Sequence, residues 1–435
     1  MAELYGIEYL RRKLNSKRSR VKKRYEYYEM KDSQPSISRV IPQELSRLYR
    51  SSFGWCAKAV DSLADRLIFR GFKDATDDFD LNSIFRANNF DILPDSAILS
   101  ALISSCSFVY ISADDTGYPR LQVLDGGAAT GIIDEITGLL TEGYAVLERD
   151  KNKNPTLEAY FTPGNTQYFK KGEAPYTIPN DAPAPLLVPI INRPDAKRPF
   201  GHARISRACM DFQNAAKRVL ERSEVTAEFY SFPQKYVLGR DPDADPIEKW
   251  KATISAFLDL SRSDEEEGKT PSVGQFQQAS MSPHTEQLKT VAALFAGETG
   301  LTLDDLGFVS DNPSSSEAIK ASHENLRLAA RKAQRYFGSG FLNVGYLAAC
   351  LRDNYAYERR QLYRTKPEWE PVFENDASAL GMIGDGAAKI NTVIPGYFDA
   401  SALRTLTGID YSDNAGQIAV GTEEITLRKG SGTGA

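Results

Sequence analysis

Two long stretches of helical periodicity, residues 203–230 and 284–297, enclose a short segment that reads as a unit of its own. In the first, Ile205, Cys209, Phe212, Ala216, Val219 and Leu220 recur at helical spacing, and Pro233 ends the run. In the second, Leu288, Val291, Ala292 and Phe295 share one side. Between them come a strand "KYVLG" (235–239), an acidic turn "RDPDADP", a helix over 246–260, a loop "SRSDEEEGKTP" and a strand "VGQF" (273–276). A chain written this way leaves one body along a helix, builds a compact βαβ-like module, and returns along a second helix. The two helices then stand as the legs of a stalk, with the module at its far end.

The segments before and after the stalk carry the rest of the fold. Residues 3–30 read as a charged helix, in which nine of the fourteen residues 11–24 ("RRKLNSKRSRVKKR") are Lys or Arg. Such a run is ordinarily a solvated face. The other reading is contact with nucleic acid or an acidic partner. Residues 41–68 predict a second helix, with Leu45, Leu48, Ala59, Leu63 and Leu67 on its buried side and Gly71 as its breaker. Residues 72–192 change character. "SFVYISA", "PRLQVLDG", "EGYAVLERD", "LEAYFTPGNTQYFKK" and "PLLVPIIN" are short alternating runs separated by turn residues. They predict a largely antiparallel β region with a helix near 94–105 and a Pro-rich loop, "DAPAP" (181–185). After the stalk, residues 317–352 predict a long helix, bent at the "GSG" of 338–340. "WEPVFEND" (369–376) reads as a returning strand, 377–408 as helical, and "RKGSGTGA" as a disordered tail. The fold class is α+β.

Composition narrows the function mainly by exclusion. The 435 residues carry a net charge of −5, which argues against a general nucleic-acid coat but not against a local basic patch. Cys56, Cys106, Cys209 and Cys350 lie far apart without a CxxC pair, so neither a disulfide framework nor a zinc site is expected, and a reducing compartment is the default. His202, His284 and His323 are too scattered for a histidine metal site. No metal or other cofactor is therefore expected. No apolar run reaches the ~18 residues of a membrane span, so no membrane partner is expected. The N-terminal residues do not have the pattern of a secretory signal. "AGETGLT" (296–302) lacks the GxxxxGK[ST] of a phosphate loop, "SHENL" (322–326) lacks the second histidine of HExxH, and GxSxG is absent. Asp264, Glu265, Glu266 and Glu267 fit no calcium loop and read as a solvated turn. No catalytic motif stands out, and the chain is expected not to be an enzyme.

The most informative stretch is "DNPSSSEAIKASHENLRLAARKAQRYF" (311–337). Ser314 and Glu317 have the spacing of a capping box and predict a firm helix start. Ile319, Leu326, Ala330, Ala333 and Phe337 fall on one arc of that helix, and Lys320, Arg327, Arg331 and Arg335 on another. The basic stripe faces solvent, a neighbouring subunit or nucleic acid. The loop before it has the opposite sign: residues 299–316 contain Asp304, Asp305 and Asp311 but no Lys or Arg.

The order of these elements resembles bacteriophage portal proteins, in the group typified by long-tailed phages of Gram-positive hosts. "GWCAKAVDSLADRLIFRGF" (54–72) is similar to the helix leading into the family's wing. "VPIINRPDAKRPFGHARISR" (188–207) is similar to the entry to its first stem helix, and "FPQKYVLG" (232–239) to the start of its clip. "DNPSSSEAIKASHENL" (311–326) resembles its tunnel loop, and "SALGMIGDGAAKI" (378–390) its crown. The resemblance implies a wing over 1–202, stem helices over 203–230 and 284–298, and a clip over 231–283. It further implies a tunnel loop over 299–316, a long helix with a return to the wing over 317–376, a crown over 377–420 and a free tail over 421–435. It implies a homo-oligomeric ring of about twelve subunits at one capsid vertex of the virion, made in the host cytoplasm. Double-stranded DNA would enter and leave through the channel. The other implied partners are the terminase large subunit, the major capsid and scaffolding proteins and a head–tail adaptor.

On that reading Asp304, Asp305, Asp311, Asn312, Ser314, Ser315 and Ser316 face the channel. Asp241, Asp243, Asp245 and the 264–267 acids sit at the clip tip, where partners dock. A conduit must not hold DNA tightly, and an acidic or neutral loop repeated around a ring would keep the duplex sliding. The alternative is another head–tail connector or minor capsid protein without a DNA-translocating channel.

Overall fold

The structure, a computed structural model, describes residues 4–31, 51–73, 79–231, 235–238, 272–275, 280–308, 321–373, 377–407 and 409. Two units can be distinguished within the chain, one made of residues 1–22, 60–204 and 324–435, the other of 23–59 and 205–323.

The first unit is built on antiparallel strands. Strands β2 (Cys106–Ala113), β3 (Pro119–Leu124) and β9 (Leu187–Ile191) form a three-stranded sheet in the order β3-β2-β9. Strands β4 (Ala129–Ile133), β5 (Leu140–Arg149), β6 (Pro155–Thr162), β7 (Asn165–Lys170) and β8 (Tyr176–Pro179) form a five-stranded meander in sequence order. The alternating runs indicated all three strands of the first sheet and β5, β6 and β7 of the second, whereas β4 and β8 fall in none of them. The predicted helix near 94–105 is Leu93–Ser104, and a one-and-a-half-turn helix, Leu81–Arg86, precedes it. A third pairing joins β1 (Phe69–Lys73) to β12 (Lys366–Trp369), nearly three hundred residues later in the chain. The returning strand is thus earlier than the sequence suggests: residues 370–373 are not in a strand. Pro371 has no N–H to give a ladder there.

The long helix of this unit, Glu324–Asp353, runs through the predicted bend without interruption. Its glycines answer a packing demand instead. A Cβ on Gly338 would lie 2.7 Å from Pro367 Cγ, and one on Gly340 would lie 2.8 Å from Ile190 Cδ1. The helix needs bare backbone where it crosses β12 and β9. Beside it, Phe69, Phe72, Phe85, Phe341 and Trp369 form a chain of ring contacts with centroid distances between 4.9 and 6.3 Å. Phe85 and Phe341 are fully buried. C-terminal to this come Ala377–Val393 and Ala400–Thr407. The single helical stretch expected over 377–408 is therefore two helices. Pro395 and Gly396, with φ of 75° at the glycine, stand between them.

The charged helix near the N-terminus is α1, Ile7–Tyr28. Its early turns are docked, not solvated. Leu10 and Leu14 pack on Tyr144 and Val146 of β5. The cations beside them are also engaged. Arg11 meets Glu158 at 2.6 Å. Lys13 Nζ donates to the Gly131 carbonyl at 2.8 Å and Lys17 Nζ to the Ala129 carbonyl at 2.7 Å. Among the described residues β4 pairs only with β5, and Ala128 accepts from Val146. By the alternation of an antiparallel ladder, the carbonyls of 129 and 131 then point to the open side. The two lysines satisfy that edge. Burial holds both lysine pKa values below the usual range. Just ahead of α1, the buried Glu142 carboxylate accepts the N–H groups of Tyr5 and Gly6 and the hydroxyl of Tyr160 at 2.9, 3.0 and 2.9 Å.

The second unit contains the two legs, Arg207–Ser231 and Ser282–Thr299. They pack together as antiparallel neighbours: Ser206 Oγ, at the start of one, donates to Glu298 at the end of the other at 2.7 Å. The buried stripe of the first leg holds Cys209, Ala216 and Val219 as expected. It also holds Gln213, Lys217 and Glu221, which a hydrophobic pattern does not reveal. Gln213 accepts the Cys56 N–H at 2.8 Å, and burial raises the Glu221 pKa. Trp55–Ala64 is the described part of the helix expected over 41–68; residues 51–54 are not helical, and Leu45 and Leu48 lie outside the described residues. At the far end of the legs, β10 (Lys235–Leu238) pairs antiparallel with β11 (Ser272–Gln275). The two strands form an antiparallel ladder, not the parallel pair of a true βαβ unit. The helix expected over 246–260 lies outside the described residues.

Candidate nucleic-acid interface

Two pieces of the predicted interface are described, one in each unit. The first is the acidic turn after the second leg. Gly300 ends that leg in the left-handed region at φ 70°, Leu301 is buried, and Asp304–Leu306 make one 3-10 turn. Asp305 is drawn inward by its own turn. Its Oδ2 accepts the Thr302 N–H and hydroxyl at 2.9 and 3.0 Å, while its N–H donates to Thr302 Oγ1 at 3.2 Å. His323 Nδ1 stands 3.8 Å from the same oxygen. These reciprocal bonds are those of a cap. The Asp305 side chain is 18% exposed, whereas Asp304 is open to solvent. Of the two adjacent acids, Asp304 alone is presented outward. Asp311, Asn312, Ser314, Ser315, Ser316 and Lys320 lie outside the described residues, as does Glu317 of the expected capping box.

The second piece is the basic row on the long helix Glu324–Asp353. Leu326, Ala330, Ala333 and Phe337 are buried, so the apolar arc is as the sequence predicts. Ile319 lies outside the described residues. Arg327 is not a free cation: its Nε and Nη2 both meet the Glu324 carboxylate at 2.6 Å. That pair lowers the pKa of Glu324 and raises that of Arg327. Arg331 and Arg335 are exposed, and Lys332 joins them. The sequence reading missed Lys332, although its spacing from Arg335 places it one turn away. The clip acids Asp241, Asp243, Asp245, Asp264, Glu265, Glu266 and Glu267 lie outside the described residues.

Among the described residues no three His, Cys, Asp or Glu side chains gather as a metal site. No described helix is long and apolar enough to cross a membrane. The four cysteines are buried thiols, and burial pushes Cys350 up to about 11.

Comparison with known proteins supplies the family. The profile of the phage portal proteins described as SPP1 Gp6-like matches residues 7–390. The portal protein of Mycobacterium phage D29 is 26% identical over 346 residues, covering 74% of this chain and 69% of its own. That of Mycobacterium phage L5 is 25% identical over 339 residues, covering 72% and 68%. Among solved structures, a chain from the virion of a native gene transfer agent particle aligns with a TM-score of 0.45 at 13% identity, covering 90% of this chain and all of its own. A chain from the neck of that native particle, computed with C12 symmetry, aligns at 0.42 and 14% identity, covering 90% and 100%. A profile match over so much of the sequence decides the matter: the chain belongs to the SPP1 Gp6-like family of phage portal proteins, components of the virion.

Proposed function

We propose that copies of this chain close into a ring, twelve in number by analogy with the family, around a channel for double-stranded DNA. The observation that carries the reading is the family match over residues 7–390, which takes in the stalk, the acidic turn and the long helix together. In this reading DNA enters through the channel during packaging and leaves through it during ejection. Terminase docks on the clip, where Asp241 to Asp245 and Asp264 to Glu267 provide an acidic tip, and head–tail adaptors take its place later. The channel's work is passive, and the ATPase belongs to the terminase.

The surface required of such a conduit is one that DNA passes without adhering. Asp304 is presented for that purpose, and Asp305 holds the turn that presents it. Arg331 and Arg335 meet either the duplex or acids of the next subunit.

Cryo-electron microscopy of the purified protein tests this. The expected result is a wide-collared ring with a central hole and Asp304 near its constriction. A ring without a through-channel, or one with Asp304 on its outer surface, would overturn the reading. Charge reversal at Arg331 and Arg335 should impair ring assembly or packaging, and a variant intact in both would remove them from either role.

A further inference from the structure

The docked half of α1 sorts its cations into two sets. Arg11, Lys13 and Lys17 turn toward the sheet and are engaged there. The outward face over the same turns is Arg12, Asn15, Ser16, Ser19, Arg20 and Lys22, all exposed. It contains no acid and no apolar side chain. Arg18 is half-buried at its margin. Among the described residues, no acidic side chain forms an ion pair with Arg12, Arg18 or Arg20; Arg12 only reaches its own turn, at the Glu8 carbonyl, at 3.4 Å. A second element adds to the same field. Arg149, at the end of β5, has its pKa lowered by burial and then by the charge of Arg18, with Asp125 and Glu158 acting in the opposite sense. Like charges are therefore held near one another on a rigid support.

We infer that this face of α1 binds the phosphate backbone of double-stranded nucleic acid without regard to sequence. A protein partner would want an apolar anchor at the centre of the surface, and this face offers none. Small polar residues between the cations let a phosphate backbone approach closely and give it hydroxyl and amide donors. From Arg12 to Lys22 the helix rises about 15 Å. Over that length one strand of a duplex presents about four phosphates, against the four cations Arg12, Arg18, Arg20 and Lys22. Docking by Leu10, Leu14, Lys13 and Lys17 fixes the helix in advance, so no ordering of the chain opposes binding. The inference does not rest on the channel reading, because it concerns other residues.

The test is fluorescence anisotropy of the full chain with a labelled duplex of arbitrary sequence, read as a function of salt. The R12Q/R18Q/R20Q/K22Q variant should bind more weakly to every duplex. The slope of log K against log salt should shrink by about 3.6. Equivalently, between 50 and 200 mM salt the wild type should lose about 100-fold more affinity than the variant. The K171Q/K197Q/K366Q/K389Q variant removes the same charge elsewhere and should keep the wild-type slope. If the fourfold variant melts early, R12Q/R20Q alone carries the readout, with a slope change of about 1.8. An unchanged slope in the α1 variants would overturn the inference. So would an equal loss in the K171Q/K197Q/K366Q/K389Q variant, or polyglutamate competing as well as duplex does with itself.

Discussion

Gly338→Ala should destabilise this protein even though it places a better helix former inside a helix. Propensity alone favours Ala by about 1 kcal/mol. The new Cβ, however, would lie 2.7 Å from Pro367 Cγ, 3.1 Å from Pro367 Cβ and 3.3 Å from Trp369 Nε1. Neither neighbour yields easily. The proline ring is fixed to its own backbone, and Pro367 is held in register opposite Phe72 in the β1–β12 ladder. Trp369 is set against Phe69, centroids 5.1 Å apart. One extra methyl in such a site costs about 1–3 kcal/mol, so the net effect is a loss of about 0–2 kcal/mol. Gly381 provides the matched control. It lies inside the helix Ala377–Val393, and nothing comes within 4 Å of its added Cβ. G381A should therefore stabilise by about 0.5–1 kcal/mol. The assay is urea unfolding, comparing midpoints of variants whose slopes match. Adding P367A to G338A removes the closest clashing atom and should recover part of the loss, as a positive coupling in a double-mutant cycle. If G338A stabilised as much as G381A, the close crossing of the long helix over β12 would be refuted.

Lys17 makes a pH-dependent contribution. Its folded pKa is depressed by burial, so the unfolded chain binds its proton more tightly. Stability should then rise with pH as the solution approaches the ordinary lysine value of about 10.4. The stability of the wild type relative to K17M should increase along that climb, and thermal melts showing a flat difference would contradict the burial of the ammonium. Glu142→Ala should release Tyr5 and Gly6 and strand the Tyr160 hydroxyl, at a cost of about 1–3 kcal/mol. Hydrogen exchange at the Tyr5 and Gly6 amides should accelerate; unaltered protection would mean that other contacts hold this segment.

Much of the architecture was legible because apolar periodicity reports directly on burial. The β region, the two legs and the arc Leu326, Ala330, Ala333 and Phe337 were all visible in that way. The misreadings share a cause: a residue's type does not say what it touches. Lys13 and Lys17 read as solvated because charge runs usually are, yet their stems lie on the sheet and their ammonium groups meet edge carbonyls. Gly338 and Gly340 read as a bend because glycine weakens helices, although here they admit Pro367 and Ile190. Gln213, Lys217 and Glu221 broke the pattern of a stripe that is nonetheless buried. Asp304 and Asp305 looked equivalent, and only the position of Thr302 separates the outward acid from the capping one. In each case the deciding partner is a neighbour in space, and for the glycines and lysines it is far away in sequence.

The lysines on β4 also bear on how copies of this chain find one another. An open strand edge is a template onto which any extended segment can be stitched by backbone hydrogen bonds, including the same edge of another molecule. A chain made in many copies at high local concentration is especially exposed to that error. By occupying the carbonyls of 129 and 131, Lys13 and Lys17 withdraw the acceptors that stitching would use. A nascent strand arriving there would have to displace two ammonium groups and leave them buried without acceptors. The helix that docks on the meander thus also caps the acceptors of an edge that another extended segment could otherwise pair with.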